Sequence, residues 1–193
     1  MSSDRDRDRD GDSDGDGALV VRARAGDLAA FGELVRRHQH EARRVAAAIG
    51  GVDGADDCAQ EAFVRAHRSL DRFRDGAPFR PWLLTIVVNV ARNQGRSTTR
   101  WRRAGERTID GRPASALAPS AEDEVLVGER RRRVAVALDA LPDHHREVVV
   151  CRYLLELSER ETAQVLDIPP GTVKSRLARA LDRLAADVER TDG

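Results

Sequence analysis

The sequence predicts an all-α chain made of two small helical domains joined by a flexible linker. Three observations carry this. Only 4% of the 193 residues are aromatic, while Ala, Leu, Val and Arg are abundant, a composition that favours helices over sheets. Apolar residues recur at spacings of three and four rather than two, the period of a helix with one buried face. Residues 104–121, with Gly105, Gly111, Pro113, Pro119 and several Ala and Ser, break that period and read as a mobile linker.

Residues 1–17 hold seven Asp and three Arg among Gly and Ser. They have nothing to bury and are expected to be a disordered, solvated tail. The tail's net −4 within a chain of zero net charge leaves +4 on the remainder, so overall neutrality does not exclude a polyanionic partner. The first domain is expected over 18–103. Leu28, Phe31, Leu34 and Val35, then Val45 and Ile49, mark one helix, which Gly50-Gly51 ends. A second helix starts near Asp53–Asp57, where acids suit the helix N-terminus, and carries Cys58, Ala62, Phe63, Ala66 and Leu70 on one face. Arg74–Pro78 forms a loop. Beyond Pro81, the run from Trp82 to Val88 is apolar enough to be the central helix of a bundle, and it continues into an arginine-rich stretch ending near Arg103. Helical patterning resumes at Glu122 and runs to about Val188, giving a second domain over 122–190.

Several function classes fit poorly. Cys58 and Cys151 lie far apart without metal-type spacing, and they suit a reduced, cytoplasmic setting better than a disulfide framework. Cys58 is expected in the core. No apolar stretch approaches the roughly 20 residues needed to span a bilayer, so no membrane insertion is expected, and the N-terminus has no secretory pattern. No phosphate-binding glycine loop or nucleophile motif occurs. His38 and His40 fall on different sides of a helix, and His144-His145 are expected on a helix surface. Neither catalysis, metal nor cofactor is expected.

The C-terminal part carries the clearest motif. Ser158-Glu159-Arg160-Glu161 is a capping box that opens a short helix bearing Ala163, Val165 and Leu166. Pro170, suited to a first helical position, begins the next helix. That helix has an apolar face of Val173, Leu177, Ala180, Leu181, Leu184 and Val188. Its other side offers Thr172, Lys174, Ser175, Arg176, Arg179 and Arg183. The helix from Pro142 to about Leu155 supports the pair through Val148, Val149, Tyr153 and Leu154. A short helix, a tight turn and a basic second helix make a helix-turn-helix, whose Lys and Arg can take phosphates or guanine edges.

The first domain presents two faces of opposite character. No acid occurs between Asp75 and Glu106, whereas Arg92, Arg96, Arg100 and Arg103 repeat at helical spacing, a cationic stripe suited to a phosphate backbone. Asn89, one turn before Arg92, can hydrogen-bond a base edge. Asp56, Asp57, Gln60 and Glu61 form an acidic, amide-bearing face that suits a protein partner rather than DNA.

Taken together, these residues resemble a known family. Asp56-Asp57-Cys58-Ala59-Gln60-Glu61-Ala62-Phe63, Arg65-Ala66 and Leu70-Asp71-Arg72-Phe73 look like region 2.2 of the extracytoplasmic-function sigma factors. Pro81–Ile86 with Val88–Asn93 resembles regions 2.3 and 2.4, and Leu141-Pro142 with Pro169–Leu177 resembles region 4. The resemblance implies a region 2 bundle and a region 4 helix-turn-helix. It implies a dissociable specificity subunit whose partners are the β′ and β subunits of core RNA polymerase, promoter DNA and an anti-sigma protein. By the same resemblance, Asp57, Gln60 and Glu61 dock on a β′ coiled coil. The loop Arg74–Phe79 and Asn89 receive a flipped base of the −10 element, with Arg92, Arg96 and Arg100 on the DNA backbone. Thr172, Lys174, Ser175, Arg176 and Arg179 read the −35 element. A stand-alone helix-turn-helix repressor or activator is the alternative; it accounts for residues 142–188 but not for an acidic helix beside an arginine stripe.

Overall fold

The computed structural model describes the backbone of residues 15–104, 136–138 and 140–191, with the side chains of 95–104 and 187–191 outside that description. The expected linker, apart from Ala104, and the first part of the helical patterning expected from Glu122, up to residue 135, lie outside the described residues. Every regular element among those described is helical.

Helix α1 (residues 15–24) precedes α2 (Leu28–Gly50), whose first turn is capped by the Asp27 carboxylate accepting from the Ala30 amide at 3.0 Å. Residues 15–17, expected in the tail, belong instead to α1. The cause is Asp16, which is buried, accepts a hydrogen bond at 2.7 Å across to the His38 Nε2 and pairs with Arg37 at 3.2 Å. A carboxylate with two partners can leave water; the other tail acids lie outside the described residues.

The buried stripe of α2 is Ala30, Leu34, His38, Ala42, Val45, Ala46 and Ile49. Leu28, expected on the apolar face, is 73% exposed, because the buried stripe begins at Ala30. Helix α2 ends at Gly51, where φ is 97°, a conformation that glycine adopts without a Cβ clash. A Cβ on Gly50 would sit 3.3 Å from the Ala91 carbonyl oxygen, so the absent side chain lets α2 approach its neighbour. A 3-10 turn (Val52–Gly54) leads into α3 (Ala55–Arg68), with Asp56 and Asp57 in its first turn. Another 3-10 turn (Leu70–Arg72) and a loop lead to α4 (Phe79–Ala104). From Leu83 to Ala91, α4 buries Leu83, Leu84, Val87, Val88, Val90 and Ala91. Burial over so wide an arc, with only Thr85, Ile86 and Asn89 left partly or fully open, marks the central helix of the bundle.

The C-terminal half contains α5 (Asp143–Val149), a π-turn (Val150–Leu154), α6 (Glu159–Leu166) and α7 (Pro170–Thr191). The helix expected to run to Leu155 is thus divided, and Tyr153, expected as support, is exposed on the π-turn. Helix α6 packs on α4, and one continuous apolar core runs from α1 to Val173 of α7. A smaller cluster of Leu141, Val149 and Ala180 closes the far side. Cys58 lies in the core as expected, and Cys151 joins it. Both are free thiols, which burial pushes up to about 11 and about 12 respectively, leaving them inert near neutrality.

Candidate nucleic-acid interface

The helix-turn-helix is built as its local chemistry dictates. The Ser158 hydroxyl accepts from the Glu161 amide at 3.2 Å, and the Glu161 carboxylate accepts from the Ser158 amide at 2.7 Å. Helix α6 stops at Asp167, where φ is 54°, and the Ile168 amide closes the end on the Ala163 carbonyl at 3.0 Å. Pro169 then turns the chain, and Pro170 opens α7.

Val173 and Ala180 are buried while Lys174, Ser175 and Arg179 are exposed, and Thr172 and Arg176 are half-buried at the margin. Leu181, expected on the apolar face, is exposed instead; the core-facing line passes through Val173, Leu177, Ala180 and Leu184 at helical spacing. Ser175 donates to the Thr172 carbonyl at 3.2 Å, leaving its oxygen free to accept. His145, expected on the surface, is buried instead. Burial lowers its pKa, and His144, Arg183, Arg179 and Arg176 lower it further. The cationic face of α7 is thus felt inside the domain as well as at its surface.

On α3, Asp57 and Gln60 are exposed and Glu61 is half-buried. Asp56 pairs with Arg43 at 2.6 Å, and Glu61 with Arg65 at 2.7 Å. Beside this face Phe31, Phe63, Val64, His67 and Arg68 line an open, mostly apolar cleft. Acid, amide and apolar surface thus lie together where a protein helix could rest.

The loop ahead of α4 exposes Arg74, Asp75, Gly76 and Pro78. Phe79 does not belong to this exposed set. It is 2% exposed and packs against Phe73, Trp82 and His38, with ring centroids 5.4–6.0 Å away. Phe79 is a core aromatic and leaves the candidate DNA contacts, because its ring completes the cluster that seats α4.

Asn89 is exposed on α4. Arg92 is not open to solvent in the same way: its Nε and Nη2 donate to the two oxygens of Glu147 at 2.7 and 2.8 Å, with side chains 20% and 7% exposed. That bidentate pair, ahead of the opposing effect of burial, holds the Arg92 guanidinium more firmly charged. Arg80 is likewise committed, to Glu41 and to the Leu155 carbonyl at 2.9 Å. The side chains of Arg96 and Arg100 lie outside the described residues. Sequence reasoning missed Glu147, since a partner 55 residues away leaves no periodic signal. Arg24 was missed for the same reason: it bonds the loop at Leu70, Phe73 and Asp75.

No described helix is long and apolar enough to cross a membrane. Among the described residues, no cluster of His, Cys, Asp and Glu could hold a metal.

A capped helix-turn-helix with Lys174, Ser175 and Arg179 exposed on its second helix, packed on a helical bundle with an acidic, amide-bearing face on α3, has the build of a DNA-reading factor that also has a surface for protein. Comparison with known proteins agrees. Residues 34–102 match the family profile for sigma-70 region 2, and residues 131–184 match that for sigma-70, region 4. The chain is 33% identical to the ECF RNA polymerase sigma-E factor of Escherichia coli K12, covering 89% of this chain and 93% of that protein. The Haemophilus influenzae sigma-E factor is 31% identical over 89% of this chain and 94% of its own. CnrH, solved in complex with the cytosolic domain of CnrY, superposes with a TM-score of 0.69 at 29% identity, over 91% of this chain and 98% of that one. The sigma factor RpoE of Bartonella quintana, solved with the anti-sigma factor NepR, shares the fold (TM-score 0.67, 23% identity, 82% of this chain and 96% of that one). The chain belongs to the sigma-70 family, in its extracytoplasmic-function group.

Proposed function

We propose that this sigma factor binds core RNA polymerase through Asp57, Gln60 and Glu61 on α3 and directs it to promoters with two DNA readers. Thr172, Lys174, Ser175, Arg176 and Arg179 on α7 read the −35 element in the major groove. The loop 74–78 and Asn89 receive an extruded base of the −10 element, and Arg92, Arg96 and Arg100 follow the DNA backbone. The two readers lie in the two halves of the chain, a region 2 part that includes α1 and a region 4 part over 122–190, joined through 104–121. The chain is not itself an enzyme: strand opening draws on binding energy that favours the extruded base. Extrusion costs a few kcal/mol, within reach of several new contacts. Two weak readers on one scaffold gain through effective concentration. The cytoplasm is the compartment in which such a polymerase subunit acts, and an anti-sigma protein is its expected regulator.

The observation that carries this reading is the segregation on α7, where Val173 and Ala180 are buried and Lys174, Ser175 and Arg179 are exposed. Runoff transcription on a promoter library, with bacterial core polymerase and the full chain, tests it. Specific initiation only when the chain is added is expected. Tight duplex binding by the chain alone, without association with core, would overturn it in favour of a stand-alone regulator. Lys174→Ala and Arg176→Ala should each weaken −35 recognition by about 1–3 kcal/mol if the side chain contacts a base and leave core binding intact. Glu61→Arg should reduce capture by immobilised core, and undiminished capture would remove that contact.

A further inference from the structure

The loop that joins α3 to α4 is exposed at its tip and has little of its own to hold a shape. Arg74, Asp75, Gly76 and Pro78 are exposed, and Gly76 has φ of 73°. Within its tip, one backbone bond closes the turn, from the Ala77 amide to the Arg74 carbonyl at 3.1 Å. Phe73 packs its ring into the core, and the hydrogen bonds from outside the loop come from a single side chain on α1. Arg24 donates from Nε to the Leu70 carbonyl at 2.8 Å, and its other nitrogens bond the Phe73 carbonyl and the Asp75 carboxylate. Its guanidinium carbon also lies 5.9 Å from the centre of the Phe73 ring. Among the described residues, no other side chain from outside the loop donates a hydrogen bond to it. The span is 46 to 51 residues of sequence.

On the reading that this loop receives an extruded base, we propose that Arg24 is its positioning residue, holding residues 70–75 in the base-receiving shape before DNA arrives. A loop that must be ordered on binding loses that entropy from its affinity, whereas one already tied does not. The planar guanidinium suits the task, because its fixed fork reaches acceptors in three directions where a lysine ammonium offers a point charge. Arg24 also pairs with Asp75, the sole acid between Phe73 and Phe79. That pairing offsets the charge that would otherwise repel a phosphodiester close to the loop.

The test uses holoenzyme reconstituted from core polymerase and the full chain, supplied with a duplex library randomised across the −10 region. Permanganate reactivity reports opening, and sequenced transcripts report base preference. Arg24→Gln should lower open-complex yield on the order of tenfold, the size of one or two lost charge-assisted bonds. It should also flatten the preference at the extruded position while −35 preference and core affinity hold. Arg24→Lys should fall between the two. Asp75→Ala, at an exposed site, removes one tie without threatening the fold and should flatten the preference less. An Arg24→Gln chain with normal melting temperature and an unchanged −10 profile overturns the assignment. So does loss of core binding and −35 preference in step with the −10 preference. If Arg24→Gln does not fold, an unchanged Asp75→Ala profile overturns it instead. Arg74→Ala separates the two readings. A profile altered by Arg74→Ala but not by Arg24→Gln removes Arg24 alone, and a profile altered by none of the variants removes the base-receiving loop as well.

Discussion

Two residues show how environment turns an ordinary side chain into a specific device. Arg92 belongs by spacing to a cationic stripe, yet its guanidinium grips Glu147 with both ends of its fork. A carboxylate and a phosphate offer similar geometry to arginine, so the same side chain can serve either, one at a time. His145 is the opposite case, a titratable group kept neutral. Its pKa is lowered by burial first and then by His144, Arg183, Arg179 and Arg176. A folded-state pKa below the unfolded value near 6.5 means that its contribution to stability is complete above about pH 6.5. That contribution is lost as pH falls through the folded value. Chemical denaturation at pH 7.5 and pH 5.5 should therefore show a loss on acidification that His145→Leu reduces; an equal loss in the variant would assign it to other groups.

At the scale of the element, the helix-turn-helix depends on its ends more than on its length. Helix α6 has eight residues, too few to be stable alone, so cap and packing must hold it. Ser158→Ala removes the hydroxyl of the capping box and should cost about 1 kcal/mol, read as a shift of the urea midpoint with unchanged slope. Asp167 ends the same helix in a left-handed conformation that suits glycine better. Asp167→Gly should relieve about 1–2 kcal/mol of left-handed backbone cost against roughly 0.5–1 kcal/mol of added unfolded-chain freedom, a net stabilisation read in the same titration. These elements were legible in the sequence because their signals are local: a serine three residues before a glutamate, a proline at a helix start. Helix α5 was less so. Its division by a π-turn, and the exposure of Tyr153 there, follow from how the segment packs rather than from its period. The same holds for Leu28, apolar and on period, but placed before the buried stripe of α2 begins.

The whole molecule adds a contact that neither half predicts. Helix α6 lies on α4, the core is continuous between the halves, and Arg92–Glu147 and Arg80–Leu155 bridge them. In this arrangement Arg92 cannot hold a phosphate while it holds Glu147. Glu147→Gln keeps the shape and removes the charge, so the halves should part more readily. Small-angle scattering should then give a larger radius of gyration, and the free chain should bind promoter DNA more tightly. If neither changes, apolar packing alone governs the closure. The sequence by itself determined the helical class, the capped helix-turn-helix, the acidic start of α3 and the family, because each rests on spacing within a few turns of helix. Only the tertiary structure decided that Phe79 is core, that Asp16 and His145 are buried, that Arg24 braces the loop and that Arg92 faces Glu147. Those outcomes depend on which distant residue arrives beside each side chain, and a linear pattern carries no record of that.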